Sequence, residues 1–232
     1  MNSVSEPELL LLHALPLDGG MWAEQMGILP DSTYAPTLYS LGENIERWAV
    51  EALKLTHGNK VIVVGCSIGG SCALEIARLA PDRVAALVLI GTKANCRPDP
   101  NLLASALAMV NQGGLHTAWE KYWEPLFDKN TSPKMIHHAK KMMLRQTKED
   151  LARGVHAFHT RPSRGQTLSE FPRPIIFVTG KEDVAPGLET TIKQAAMTFN
   201  GQLHIIPDCG HYVPMERPDA LNAILTKLIA TI

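Results

Sequence analysis

The feature that most constrains this 232-residue chain is a set of short apolar runs separated by longer helical patterns. Leu9–Leu12, Val61–Val64, Val84–Ile90, Ile175–Val178 and Leu203–Ile206 form the set, and each ends at a turn-prone point such as His13, Gly65, Gly91 or Pro207. A run that is apolar on both faces belongs to a strand covered on both faces. Helical patterns fall between the runs at Met21–Leu29, Glu43–Thr56, Ile68–Leu79, Leu188–Phe199 and Pro218–Ile229. Pro218 suits a first helical turn, where its missing N–H costs nothing. Alternation of this kind implies an α/β fold with a mostly parallel sheet between two layers of helices.

One stretch breaks the alternation. Between Lys93 and Glu170 the apolar residues recur at helical spacing, as in Leu102, Leu103, Ala106, Leu107 and Val110, and then in Leu115, Trp119, Trp123 and Leu126. Met135, Ile136, Ala139 and Met143 make a third such face. Residues 93–170 are therefore expected to be a helical cap (lid) inserted into a core made of residues 1–92 and 171–232. Such a cap would cover the carboxyl edge of the sheet, where open α/β sheets bind ligands.

The chemistry sits at that edge. Gly65-Cys66-Ser67-Ile68-Gly69 follows an apolar run and opens a helical pattern, so Ser67 occupies a sharp strand-to-helix turn. The turn exposes the hydroxyl beside the free N–H groups of a helix N-terminus. A serine needs a base, and the base needs a carboxylate to orient it. His211 follows the last run in Cys209-Gly210-His211. His116, His137, His138, His156 and His159 fall in the insertion and are expected on solvated faces. Asp183 follows Ile175–Val178 in Gly180-Lys181-Glu182-Asp183, with Glu182 as its rival. Asp208 lies too close to His211 in sequence to fold back onto it. Gly91-Thr92-Lys93-Ala94-Asn95, the other loop that could supply an acid, has none.

Together these residues resemble the α/β-hydrolase family, and within it the serine esterases and lactonases. The order Ser67, Asp183, His211 is that family's order. His13-Ala14-Leu15 after the first run and Glu216-Arg217-Pro218 after the histidine are similar too. The resemblance implies an oxyanion hole from the backbone N–H groups of Leu15 and Ile68. His13 is expected to brace that loop, and Trp22 to pack in the core. Members usually carry glycine where Ala14 stands. It also implies hydrolysis of a small carboxylic ester or lactone through an acyl-enzyme, with no metal or organic cofactor. A thioesterase or a carbon–carbon bond hydrolase with the same triad is an alternative, as is a non-catalytic small-molecule receptor on this fold. Carbon–carbon hydrolases tend to have asparagine before the serine, where this chain has Cys66. Relatives also place two further strands before the first run. Here few residues precede Leu9, so a truncated sheet of about six strands is expected, with Thr33–Leu38 at its edge and the pocket more open on that side. Pro36 suits an edge, since it cannot donate to a ladder.

Bulk properties set the partners. A formal net charge of -1 gives no global field toward nucleic acid or a membrane. The insertion is locally basic, with twelve Lys or Arg against seven acids, which favours anionic substrates if the charges face the pocket. Four cysteines show no metal-ligand spacing and read as reduced thiols. Met1–Leu12 lacks the basic start and the apolar length of a leader or membrane span. The expectation is a cytoplasmic monomer or homodimer acting on a small molecule.

Overall fold

A computed structural model describes residues 7–232; the first half of the Met1–Leu12 segment lies outside the described residues. Six strands form one parallel sheet: β1 Glu8–Leu12, β2 Thr33–Tyr34, β3 Val61–Cys66, β4 Val84–Ile90, β5 Ile175–Gly180 and β6 Gly201–Ile206. Their order across the sheet is β2-β1-β3-β4-β5-β6. The apolar runs explain the interior of that order. All residues of β1, β3, β4 and β5 are buried, as strands covered by helices on both faces must be.

The helices of the two covering layers are α1 Ile45–Leu53, α2 Ile68–Leu79, α8 Leu188–Ala196 and α10 Pro218–Ile229, with a single turn α9 at Val213–Glu216. Asn44 caps α1 by accepting from the Arg47 N–H, and α1 buries Ile45, Trp48, Ala49 and Ala52 on one face. Between β4 and β5 the described chain is helical throughout its ordered elements: α3 Pro100–Ala108, α4 Leu115–Ala118, α5 Pro133–Leu144, α6 Lys148–Thr160 and α7 Gly165–Glu170. Two π-helical turns, Met109–Gly113 and Trp119–Trp123, flank α4. Arg164 pairs with the buried carboxylate of Glu75 on α2, which Arg78 also holds at 2.6 Å, so the end of the insertion is tied to the core.

Four sequence expectations change. Met21–Leu29 is not a helix; a 3₁₀ turn at Gly19–Trp22 is followed by further turns. Gly27 costs helix propensity there, Gly19 and Gly20 stand just before it, Pro30 ends the segment, and a Cβ on Gly19 would meet the Ala35 carbonyl oxygen. The edge at Thr33–Leu38 is an edge, but its strand is only Thr33–Tyr34, and Leu38 already begins a 3₁₀ turn. The Leu203–Ile206 run is the opposite edge rather than a doubly covered strand. Gln202 and Ile205 are exposed and His204 is half-buried. Finally, the pocket is not open toward β2. α6 packs over Leu38–Leu41, with Gly154 against the Tyr39 ring and Arg153 donating to the Tyr39 carbonyl at 2.8 Å.

Burial ranks the strands for stability. Leu11→Ala, in the fully buried β1, is expected to cost about 2–5 kcal/mol, and Ile205→Ala, 43% exposed on β6, less than about 1 kcal/mol. Urea denaturation of the two variants checks the order.

Candidate active site

The turn between β3 and α2 holds Ser67 at φ +54°, ψ −114°, a backbone region that side-chain-bearing residues seldom occupy. Close packing enforces it. A Cβ on Gly65 would meet the Gly69 carbonyl, and one on Gly69 would meet the carbonyl oxygens of Leu12 and His13. The Ser67 N–H donates to the Ile90 carbonyl at 2.8 Å, which locks the turn to the end of β4. Ile68 is the first residue of α2, so its N–H has no partner within the helix.

His211 and Asp183 meet at the ends of β6 and β5. His211 Nδ1 lies 3.0 Å from Asp183 Oδ2 and 3.1 Å from Oδ1, and both side chains are buried. Asp183 Oδ1 also accepts from the Ala185 N–H at 2.7 Å, which fixes the carboxylate. Gly91, at φ +52°, lies beneath the pair; a Cβ there would come within 2.8 Å of both side chains. The rival acids do other work. Glu182 accepts from the Cys209 N–H at 3.0 Å, and Asp208 is exposed.

The loop that carries His211 is pinned from several directions. Glu216 accepts from the N–H groups of Gly210, Tyr212 and Asp128 and from the Thr131 hydroxyl, at 2.6–3.1 Å. The His211 N–H donates to the Leu126 carbonyl at 2.8 Å. Tyr212 donates its hydroxyl to the Leu15 carbonyl at 3.3 Å, so the loop after β1 is held from the histidine side. His13 braces the same loop: Nδ1 is 3.0 Å from the Ala14 carbonyl, and Nε2 accepts from the Leu38 N–H at 2.8 Å. Cys66 and Trp22 are fully buried, and Cys66 faces the His211 carbonyl.

Ser67 and His211 open on one cavity of about 320 Å³, walled by Leu15 on the core side and by Val110, Trp123, Val155 and Phe158 of the insertion. His159 lines it as well, which corrects the expectation of a solvated face; burial is the largest cause lowering its pKa. His116, His137, His138 and His156 are exposed. Among the described residues no group of three or more His, Cys, Asp or Glu could hold a metal ion. No described helix is long and apolar enough to cross a membrane.

Residues 9–224 match the sequence pattern of the alpha/beta hydrolase family. The chain belongs to that family. A solved neighbour of this chain is a thermophilic esterase from Thermogutta terrifontis, 27% identical, at a TM-score of 0.87 over 97% of this chain and 90% of that one. The enol-lactonase from Burkholderia xenovorans LB400 shares the fold at 18% identity, with a TM-score of 0.82 over 100% and 94%. Among curated relatives, a 2-hydroxy-6-oxononadienedioate/2-hydroxy-6-oxononatrienedioate hydrolase of Klebsiella pneumoniae is 23% identical over 74% of this chain and 63% of its own length. The chain thus spans less than two thirds of that relative.

Sequence reasoning missed the wall of the cavity, because helical periodicity does not reveal which way an insertion's side chains point. It named Glu216 within a motif but gave it no role, because its four partners come from two separate segments.

Stability should report on the His13 brace. Burial is the largest influence on His13 and lowers its pKa to about 4 from the ordinary 6.5. The unfolded chain therefore takes up this proton first as pH falls. The contribution is fully present above about pH 6.5 and drains away toward pH 4, about 3 kcal/mol in all. Denaturant unfolding of His13→Gln is expected to show a pH dependence shallower by that amount across this window; an unchanged slope contradicts it.

Proposed function

We propose that this hydrolase cleaves a small carboxylic ester or lactone, with Ser67 as nucleophile, His211 as general base and Asp183 as its orienting carboxylate. The observation that carries the reading is the strained serine opening on the same cavity as a histidine whose far nitrogen is held by a buried carboxylate. Strain of this kind persists only where surrounding structure over-determines it, and it clusters at active sites.

In this reading His211 Nε2 takes the Ser67 proton as Oγ attacks the carbonyl carbon. Negative charge develops on the carbonyl oxygen. The N–H groups of Leu15 and Ile68 stabilise it, at about 3 kcal/mol for each donor. His211 returns the proton to the leaving alcohol, and the acyl group stays on Ser67. Water then gives a proton to His211 and attacks the acyl carbon; the bond to Ser67 Oγ breaks as His211 returns the proton to that oxygen, and the acid leaves. Asp183 keeps the Nδ1–H tautomer in place and stabilises the imidazolium in each half-reaction. Residues 93–170 act as the cap, and its apolar wall favours a substrate with a hydrocarbon arm.

The named esterase and enol-lactonase support the ester and lactone reading. The curated relative, named as a hydrolase of a 2-hydroxy-6-oxo dioate, supports a second reading with the same residues, carbon–carbon bond hydrolysis in which Ser67 and His211 act on a ketone. Cys66 is buried against the His211 carbonyl and supplies no amide beside the serine.

Ser67→Ala is expected to lower kcat on short-chain esters by about 10⁴-fold or more while leaving the unfolding midpoint near that of the native chain. Activity surviving in a clean preparation of that variant contradicts the mechanism.

A further inference from the structure

Ser67 borders a second, smaller cavity of about 110 Å³ on the side of Gly91 and Ala185. Its character differs from that of the apolar chamber. Lys93, from the turn after β4, and Arg161, from the turn after α6, both line it, together with Ser71. A neighbouring vestibule shares Phe158, Lys93 and Arg161 with it and adds Arg97 and His159.

Arg161 has an unusual environment. It is only 8% exposed, and among the described residues no carboxylate lies within 4 Å of it or of Lys93. Its guanidinium lies 3.9 Å from the centroid of the Phe158 ring and donates to the Phe158 carbonyl, so its plane is fixed. Burial pushes its pKa down; the nearby Cys96 thiol opposes that effect, and no carboxylate does. The one acid of the vestibule, Asp99, is engaged in capping α3 through the N–H groups of Asn101 and Leu102. A buried charge is unfavourable unless something pairs with it. Here the unpaired guanidinium faces a cavity beside the nucleophile. A rigid planar fork matches a carboxylate in two-pronged fashion, and Lys93 adds a second positive charge on the same cavity.

We propose that Arg161 and Lys93 form a carboxylate subsite, and that the substrate is an ester with two unlike arms. One is a hydrocarbon arm in the 320 Å³ chamber, and the other is a short arm ending in a carboxylate in the 110 Å³ cavity. The scissile carbonyl sits between them at Ser67, which lines both. This assignment deepens the ester reading and rests on it for the reaction, while the subsite itself rests on Arg161 and Lys93. It also gives the basic composition of the insertion a specific place to act.

The test compares monobutyl glutarate with butyl pentanoate, which differ by a terminal carboxylate in place of a methyl group. Hydrolysis is followed by pH-stat at low salt. The native chain is expected to prefer the anionic ester in kcat/KM by about tenfold or more. Arg161→Gln is expected to lower that preference by about tenfold, through KM, and Arg161→Lys to restore part of it. Lys93 is exposed, so Lys93→Gln keeps the fold and is expected to lower the preference by about threefold or more. A preference of one or less in the native chain, or one unchanged in Arg161→Gln and Lys93→Gln, overturns the subsite.

Calorimetric binding of monobutyl glutarate to Ser67→Ala, with and without Lys93→Gln, separates this proposal from the ester reading. Binding that weakens with Lys93→Gln, in a chain whose native form hydrolyses neither ester, keeps the subsite and removes the ester reading. Hydrolysis of both esters without discrimination, and without Lys93-dependent binding, does the reverse. Neither hydrolysis nor binding overturns both.

Discussion

The turn from β3 into α2 is the constraint on which the rest of the molecule depends. Ser67 sits in a left-handed conformation, and it can do so because residues 65, 69 and 70 carry no side chain. Gly69 brings α2 against the carbonyls that end β1, and Gly70 brings it against Thr92 after β4. A β-carbon at any of these positions would push the helix off the sheet edge. The same closeness places the start of α2 beside the loop that carries Leu15. The sheet provides the rigid frame, with four of its strands wholly buried, and the strained turn is held by that frame rather than by its own preference.

A second set of interactions joins the two halves of the site. Glu216 gathers N–H groups from the His211 loop and from the insertion, so the histidine and the wall of the cavity share one buried carboxylate. Tyr212 reaches from the residue after His211 to the Leu15 carbonyl. Movement of the insertion at Leu126–Thr131 therefore acts directly on the histidine loop, through the Leu126 carbonyl and Glu216. Gly91 completes the arrangement from below by leaving room for the Asp183–His211 pair.

Much of this was legible in the sequence because strand ends are local signals. The buried runs, the turn at Gly65–Gly69 and the residues that follow β5 and β6 all lie within a few positions of an apolar stretch, and the structure brings Asp183 against His211. What was not legible depends on packing at a distance. Met21–Leu29 has helical spacing, but the approach of Gly19 to Ala35 and the glycines around it favour tight turns. Leu203–Ile206 resembles an inner strand in its apolar content, although His204 marks the half-open face of an edge. His159 was assigned to solvent because periodicity cannot say which face of α6 meets the cavity. The same limit hid Arg161, whose significance lies in being buried with no carboxylate paired to it, a property of the folded surroundings and not of the local sequence.

The central claim is that Ser67 is an activated nucleophile that becomes acylated. Treating the chain with a fluorophosphonate and locating the adduct by peptide mass spectrometry tests it most directly. The account predicts one phosphonyl group per chain, on Ser67, and loss of labelling in His211→Ala with the fold intact. An adduct on another residue, or a chain that hydrolyses esters while Ser67 stays unlabelled, would contradict it.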